Sequence, residues 1–364
     1  MGFKNVRFYQ FRNLEDREID LSASRVFLVG RNGQGKSNVL EALYLLSYGG
    51  SFRTRRDLEL CRTGTNEMGL DGTFEAPQGD FNVEIRYQEG RKTIRLDYEV
   101  LQDRRDMVSL IPTVAFRHDD MIFVNGPPEM QRWFVDQTLS MNTPLYIDDM
   151  RRYKKVLRNR NQVIRDGRHE LLPVYDQQLA EQGLLLQRRR RDLLTAFNEV
   201  FAEEFLEIGQ MPEPLHLEYR PSWRDIDTVD GVLRYLEKHR SQEDALRTTT
   251  SGPHRDRVLF RYGRPHGGAV DFLTIASTGQ IRLVSLILRV AQARFYADRT
   301  GRLPVLLLDD VLLEMDHSRR ERFVQRLPRS EQQIFTFLPE EPYDGYRNSG
   351  TIVYSLENGV LARQ

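Results

Sequence analysis

The chain has 364 residues, enough for two domains, and its 53 Lys and Arg residues balance its 53 Asp and Glu residues. A composition 40% hydrophobic and 29% charged excludes a disordered chain, and zero net charge neither selects nor excludes a nucleic-acid partner. The lone Cys61 excludes an intrachain disulfide, and the sequence has neither an apolar leader nor a run long enough to span a membrane, so a cytoplasmic protein without membrane contact is expected.

In chain order, the first element with chemical content is Val26-Phe27-Leu28-Val29, the composition of a buried strand. It runs into Gly30-Arg31-Asn32-Gly33-Gln34-Gly35-Lys36-Ser37, which fits G-x-x-x-x-G-K-[ST] at every fixed position. The glycines let backbone N–H groups approach phosphate oxygens, Lys36 supplies a cation for the β- and γ-phosphates, and Ser37 supplies a hydroxyl for Mg²⁺. Val39, Leu40, Leu43 and Leu46 then recur at helical spacing, so the predicted helix aims its N-terminus at the phosphates. This strand–loop–helix context is what the motif requires, and ATP with Mg²⁺ is the expected ligand.

Beyond the loop, residues 81–87 and 93–98 alternate as half-buried antiparallel strands around a turn at 88–91, and Val114–Phe116 reads as a short apolar strand. From about 125 to 245 the texture becomes helical. This stretch opens with the basic run Arg151, Arg152, Lys154, Lys155, Arg158, Arg160, Arg165 and Arg168, and it later carries four consecutive arginines, Arg188 to Arg191. Such runs are commonly solvated helix faces, and in this setting they are also candidate contacts to a phosphate backbone.

After about 246 strand patterns return. Ser277-Thr278-Gly279-Gln280 precedes an apolar helix beginning near Ile281, so Ser277 is expected at a helix N-terminus with free N–H groups. Alone, this is an ordinary helix cap. Pro304 then opens Val305–Leu308, a predicted buried parallel strand with Asp309 and Asp310 at its C-terminal end, the end where open α/β sheets bind ligands. Asp309 is the expected Mg²⁺-associated carboxylate. Asp310 stands where a Glu usually polarises the attacking water, and its shorter side chain suggests slow hydrolysis.

The three motifs together predict an α/β ATP-binding-cassette or SMC-type head, a mixed sheet with flanking helices. Its residues are 1–124 and 246–364, split by a mostly helical insert at 125–245. In that architecture Ser277, Gly279 and Gln280 serve the γ-phosphate of a second copy, so an ATP-dependent homodimer is expected.

Further segments carry a closer likeness. Phe11-Arg12-Asn13, the phosphate loop through Asn38 with Leu40-Glu41-Ala42, and Gly126-x-Pro128 with Arg132 and Asp136 are three of them. Gly252-Pro253-His254-Arg255-Asp256, the Ser277–Gln280 signature with Arg282, and Leu306–Val311 with Glu314 and Asp316 are the others. Over essentially its whole length the chain resembles the RecF family of bacterial recombination-repair proteins, relatives of the SMC chromosome proteins. The resemblance implies DNA binding at gaps or single-strand/double-strand junctions, cooperation with the mediators RecO and RecR in loading RecA, and weak DNA-stimulated ATP hydrolysis that acts as a release switch. It further implies nucleotide contacts from Arg12, Asn13 and Asn38, a loop residue at Asp316 and a switch position at Thr336. Arg53, Arg55 and Arg56 fall where relatives carry an arginine that reaches DNA or the site. The competing reading is an ATPase partner in a defence or nuclease system, although the sequence has no separate nuclease-like carboxylate cluster. Arg257, Gln131, Leu312-Leu313, Arg289 and Gln292 depart from the family pattern.

Overall fold

The computed structural model describes residues 2–76, 79–103, 105–263, 268–313 and 315–364, so Glu314 lies outside the described residues. The chain packs as two compact units, one made of residues up to 119 and from 292 onward, the other of residues 120–291.

In the first unit, Thr351–Glu357, Arg25–Val29, Gln332–Phe337, Val305–Leu308 and Thr113–Phe116 form a parallel sheet in that spatial order, with Val360–Arg363 antiparallel on one edge. Val305–Leu308 is fully buried between two parallel neighbours, which is why its sequence is apolar at every position rather than alternating. A second, antiparallel sheet takes the order Glu18–Asp20, Gly2–Tyr9, Met68–Glu75, Phe81–Gln88, Arg91–Leu96, Glu99–Val100. The helix Lys36–Tyr48 lies in one core with both sheets: its Val39, Leu43 and Leu46 cluster with Val26, Leu28 and Ile334 of the parallel sheet and with Phe8, Leu70 and Ile85 of the antiparallel one. Burial on all sides explains the near-continuous apolar run from Val39 to Leu46.

The second unit is built on the helices Pro128–Asn142, Tyr146–Asp166 and Leu172–Glu204. A three-stranded antiparallel sheet, Ala269–Asp271, Arg257–Gly263 and Leu215–Arg220, belongs to it as well. Pairing of Arg257–Gly263 with Leu215–Arg220 belongs to this unit, which as a compact body runs from 120 to 291. The signature helix, Thr278–Thr300, runs through that boundary.

Candidate nucleotide-binding site

The phosphate loop connects Arg25–Val29 to the helix that starts at Lys36. Gly35, at the helix N-cap, has φ +114°, and Gly33 has φ +79°, values at which a side chain is strained. At Gly30 the constraint is contact instead, since an added Cβ would lie 2.6 Å from the Leu356 carbonyl oxygen. The Lys36 ammonium is buried and folded onto its own loop, donating to the Gly30 carbonyl at 2.7 Å and standing 3.8 Å from the Asp310 carboxylate. These are placeholders that a polyphosphate can replace, so the cation is held in position before a ligand arrives.

Ser37 and the acidic strand meet directly. The Ser37 hydroxyl donates to Asp309 Oδ1 at 2.7 Å. Withdrawal from water pushes the Asp309 carboxyl above its usual range, helped by the neighbouring Asp310 and opposed by the Ser37 hydrogen bond. A divalent cation would relieve that cost, and one hydroxyl with one carboxylate is the set Mg²⁺ accepts beside phosphate oxygens. The residues therefore fit the ion.

Asp310 has φ +49°, an uncommon left-handed backbone for a residue with a side chain. Thr336, at the parallel strand next to Val305–Leu308, fixes it twice: the Thr336 hydroxyl oxygen accepts the Asp310 N–H at 2.7 Å and lies 2.8 Å from Asp310 Oδ1 and 3.3 Å from Asp309 Oδ1. Thr336 thus holds both acids in place.

A cleft of about 240 Å³ opens over the loop, lined by Arg31, Asn32, Gly33, Gly35, Lys36, Ser37, Asn38, Arg53 and Asp310. Arg53, grouped by sequence with Arg55 and Arg56, is brought into this cleft, whereas Arg55 and Arg56 are exposed outside it. The Arg53 guanidinium donates to Asn38 Oδ1 at 2.6 Å, Asn38 donates to Asn13 Oδ1 at 2.7 Å, and Asn13 reaches the Gly33 carbonyl at 3.5 Å. Arg12 does not line the cleft. Its backbone has φ +50°, and its guanidinium makes a bidentate pair with Glu41 at 2.8 and 2.9 Å.

Glu41, one of the residues that carry the family likeness, is the acid that anchors Arg12 beside the loop. It is fully buried, paired with Arg12, accepts from Ser51 at 2.5 Å and lies 3.5 Å from Arg53. It sits in a helix otherwise buried by apolar side chains, and an acid at such a position needs nearby cations. That mismatch is the signal that could have found it.

In the second unit, Ser277 and Gln280 form a reciprocal capping box: the Ser277 N–H donates to Gln280 Oε1 at 2.8 Å and the Gln280 N–H to Ser277 Oγ at 3.3 Å. Ser277 and Gly279 are exposed, with open space around the Gly279 α-carbon. Asp316 is likewise a cap, accepting from the Arg319 N–H at 2.9 Å and the Ser318 hydroxyl at 2.7 Å, and these bonds hold its carboxyl below its usual range.

The basic runs separate by direction. Arg151 and Arg152 are exposed and paired with Asp148 and Asp149, Lys154 and Lys155 are exposed, but Arg160 is fully buried against Asp176 and Glu243 at 2.6 Å each. Among the four consecutive arginines, Arg188 and Arg191 face solvent, while Arg190 is buried between Asp136 and Asp256. Neither run is a single basic face, because helical periodicity sends one member of each into the core.

Gly252–Asp256 is a packing centre. Asp256 is fully buried and accepts from Gln187, Arg190, Tyr219 and the Ser222 N–H. His254 Nε2 lies 3.2 Å from the Thr249 carbonyl and Nδ1 2.7 Å from the Tyr153 hydroxyl. The carbonyl can only accept, so Nε2 carries the proton and Nδ1 accepts from Tyr153. Burial, with the charges of Arg255, Arg132 and Arg160, brings the His254 pKa down to about 4. Two family departures are also structural: Arg289 is buried in a double hydrogen bond to Asp120 at 2.9 and 3.1 Å, and Gln131 donates to the Val124 carbonyl at 3.2 Å.

No helix among the described residues is long and apolar enough to cross a membrane. The RecF/RecN/SMC N-terminal domain family matches residues 3–341. A "DNA replication and repair protein RecF" from Treponema pallidum (strain Nichols) is 41% identical over 354 residues, covering 96% of this chain and 98% of the relative. A protein of the same description from Streptococcus gordonii is 29% identical over 99% of this chain and 100% of its own. Among solved structures, that of the recombination mediator protein RecF with ATP superposes with a TM-score of 0.89 at 25% identity, covering 100% of this chain and 97% of that one. An SMC head bound to the C-terminal winged-helix domain of ScpA shares the fold, with a TM-score of 0.60 at 14% identity. With an ATPase fold of this type, a phosphate loop facing an acidic strand, and relatives matched from end to end, the chain belongs to the RecF/RecN/SMC family, and within it to the RecF proteins.

Proposed function

We propose that the protein is an ATP-gated DNA-binding protein of cytoplasmic recombinational repair, in which two copies close on two Mg·ATP molecules. The preassembled cleft carries this reading: a buried Lys36, a Ser37–Asp309 pair and an Asp310 pinned by Thr336 converge on one loop. Lys36 and the loop N–H groups hold the phosphates, with Arg53 and Asn38 at the mouth. Ser37 and Asp309 would hold Mg²⁺, which would supply charge neutralisation at the phosphate oxygens. Asp310 orients the attacking water, and the strained short acid makes turnover slow. The capping box at Ser277 presents a positive helix end to solvent, suited to the γ-phosphate bound by the partner copy.

The same reading makes the duplex phosphate backbone the ligand of the exposed face at Arg151, Arg152, Lys154 and Lys155. Joining two such faces doubles the phosphates neutralised, and each adds roughly 0.9 to the log–log salt slope. Gapped DNA or single-strand/double-strand junctions are the proposed targets, with RecO and RecR as the partners through which RecA is loaded. The relatives support that setting: they are DNA replication and repair proteins, and the ATP-bound structure is of a recombination mediator in the RecFOR pathway.

The deciding experiment measures solution mass with and without Mg·ATP and gapped DNA. The parent dimerises on ATP and binds DNA more tightly. Ser277→Arg binds ATP as a monomer and loses the ATP-dependent part of DNA binding, whereas reversing the four basic residues to Glu weakens DNA binding with dimerisation kept. Undiminished ATP dependence in Ser277→Arg would sink the shared-site reading.

A further inference from the structure

The turn of the last hairpin grips the phosphate loop from outside the cleft. Asn358 and Gly359 join Thr351–Glu357 to Val360–Arg363 with φ of +50° and +83°, the left-handed pair of a tight two-residue turn. The Asn358 N–H donates to Gln34 Oε1 at 2.5 Å. The Gly359 N–H donates to the Gln34 carbonyl at 3.0 Å, and the Gly359 carbonyl accepts from the Glu15 N–H at 2.9 Å. Gly359 has no space for a side chain: an added Cβ would stand 1.8 Å from the Asn13 carbonyl oxygen. The turn therefore touches both segments that frame the loop, Gln34 within it and Asn13 beside it.

We propose that the Asn358-Gly359 turn is a positioning element of the nucleotide site, one that fixes the loop without touching the ligand. This rests on the reading of the loop as an ATP site. Gln34 lies between Gly33 and Gly35, both in the left-handed region, and nothing within 4 Å would meet a Cβ on Gly33. A loop so rich in permissive residues samples other shapes unless something outside it holds a peptide in place. Its N–H groups bind phosphate well only when already aimed, since the ordering cost otherwise comes out of the affinity. The turn supplies that restraint through both the backbone and the side chain of Gln34.

The test compares the parent with Gly359→Ala, Gln34→Ala and the double variant, titrating each full-length protein with Mg·ADP and Mg·ATP and melting it without nucleotide. Gly359→Ala weakens both nucleotides by the same factor, about tenfold or more, because the loop cradles the phosphates they share. Gln34→Ala loses about three- to tenfold, the size of one hydrogen bond, with little change in the melting temperature of the nucleotide-free protein. The double variant binds no more weakly than Gly359→Ala alone, since the two changes cut one connection. Parental affinity in a folded Gly359→Ala, or additive losses in the double variant, would overturn the proposal. Should Gly359→Ala not fold, parental affinity in Gln34→Ala overturns it alone. A parent that binds no nucleotide would instead count against the ATP reading.

Discussion

Both units bury charge, and they do so in opposite ways. In the second unit Arg190 is paired with Asp136 and Asp256, and Arg160 with Asp176 and Glu243, so each cation meets two carboxylates. Asp256 is further saturated by Gln187, Tyr219 and Ser222. In the first unit Glu41 is paired as fully, with Arg12, Ser51 and Arg53, but the groups of the phosphate loop itself are held differently. Lys36 rests on carbonyls of its own loop, Asp309 carries a raised pKa, and Asp310 keeps a left-handed backbone. A saturated network fixes a fold, because removing one member strands its partners. At the loop, Lys36, Ser37 and Asp310 line one cleft, where contacts to their own chain can be exchanged for contacts to a polyphosphate. The same residue types thus mark architecture in one unit and ligand binding in the other.

The sharpest way to break that comparison is Arg190→Met. It leaves Asp136 and Asp256 without their cation, and about 3–5 kcal/mol of stability should be lost, read as a lower urea midpoint. A midpoint near the parent's would mean that the network is not structural. A milder probe is pH. The folded-state pKa of His254, about 4, lies below the ordinary value of 6.5, so the unfolded chain binds more protons between those values. Stability is then fully present above about pH 6.5 and lost as pH falls toward 4, by up to about 3 kcal/mol. In His254→Gln that acid-side loss should shrink relative to the parent; an unchanged profile would exclude His254 as its source.

In the first unit the expected signature is loss of ligand rather than of fold. Lys36→Ala should weaken Mg·ATP at least about 100-fold, about 2.7 kcal/mol, with a melting temperature close to the parent's. Asp310→Asn should keep nucleotide affinity, slow single-turnover hydrolysis and prolong the dimer; hydrolysis at the parental rate would remove its role as the water-orienting acid. The smallest effect on stability belongs to Asp309→Asn. Because burial raises the pKa of Asp309, the native state holds a proton that the unfolded state has lost, and stability falls as pH rises through that window. Neutralising the side chain should therefore raise the melting temperature of the nucleotide-free protein above that window, while Mg²⁺-dependent ATP binding is lost. A lower melting temperature would show that Asp309 is satisfied, as the carboxylates of the second unit are.

The phosphate loop, the acidic strand and the helix cap at Ser277 were legible in the sequence because each is local: a glycine spacing, an apolar run ending in acids, a serine ahead of an apolar helix. Local chemistry dictates those shapes wherever the chain goes next. Tertiary structure alone decided which arginines face inward, since Arg160 and Arg190 differ from their basic neighbours only by the side of the helix they occupy. It also decided that Arg53 lines the cleft while Arg55 does not, and that Glu41 anchors Arg12. The placement of residues 246–291 with the second unit, and of the Asn358-Gly359 turn against Gln34, follows from strand pairing between segments far apart in the chain. Such pairings are selected by packing over long loops, and no window of sequence contains both partners.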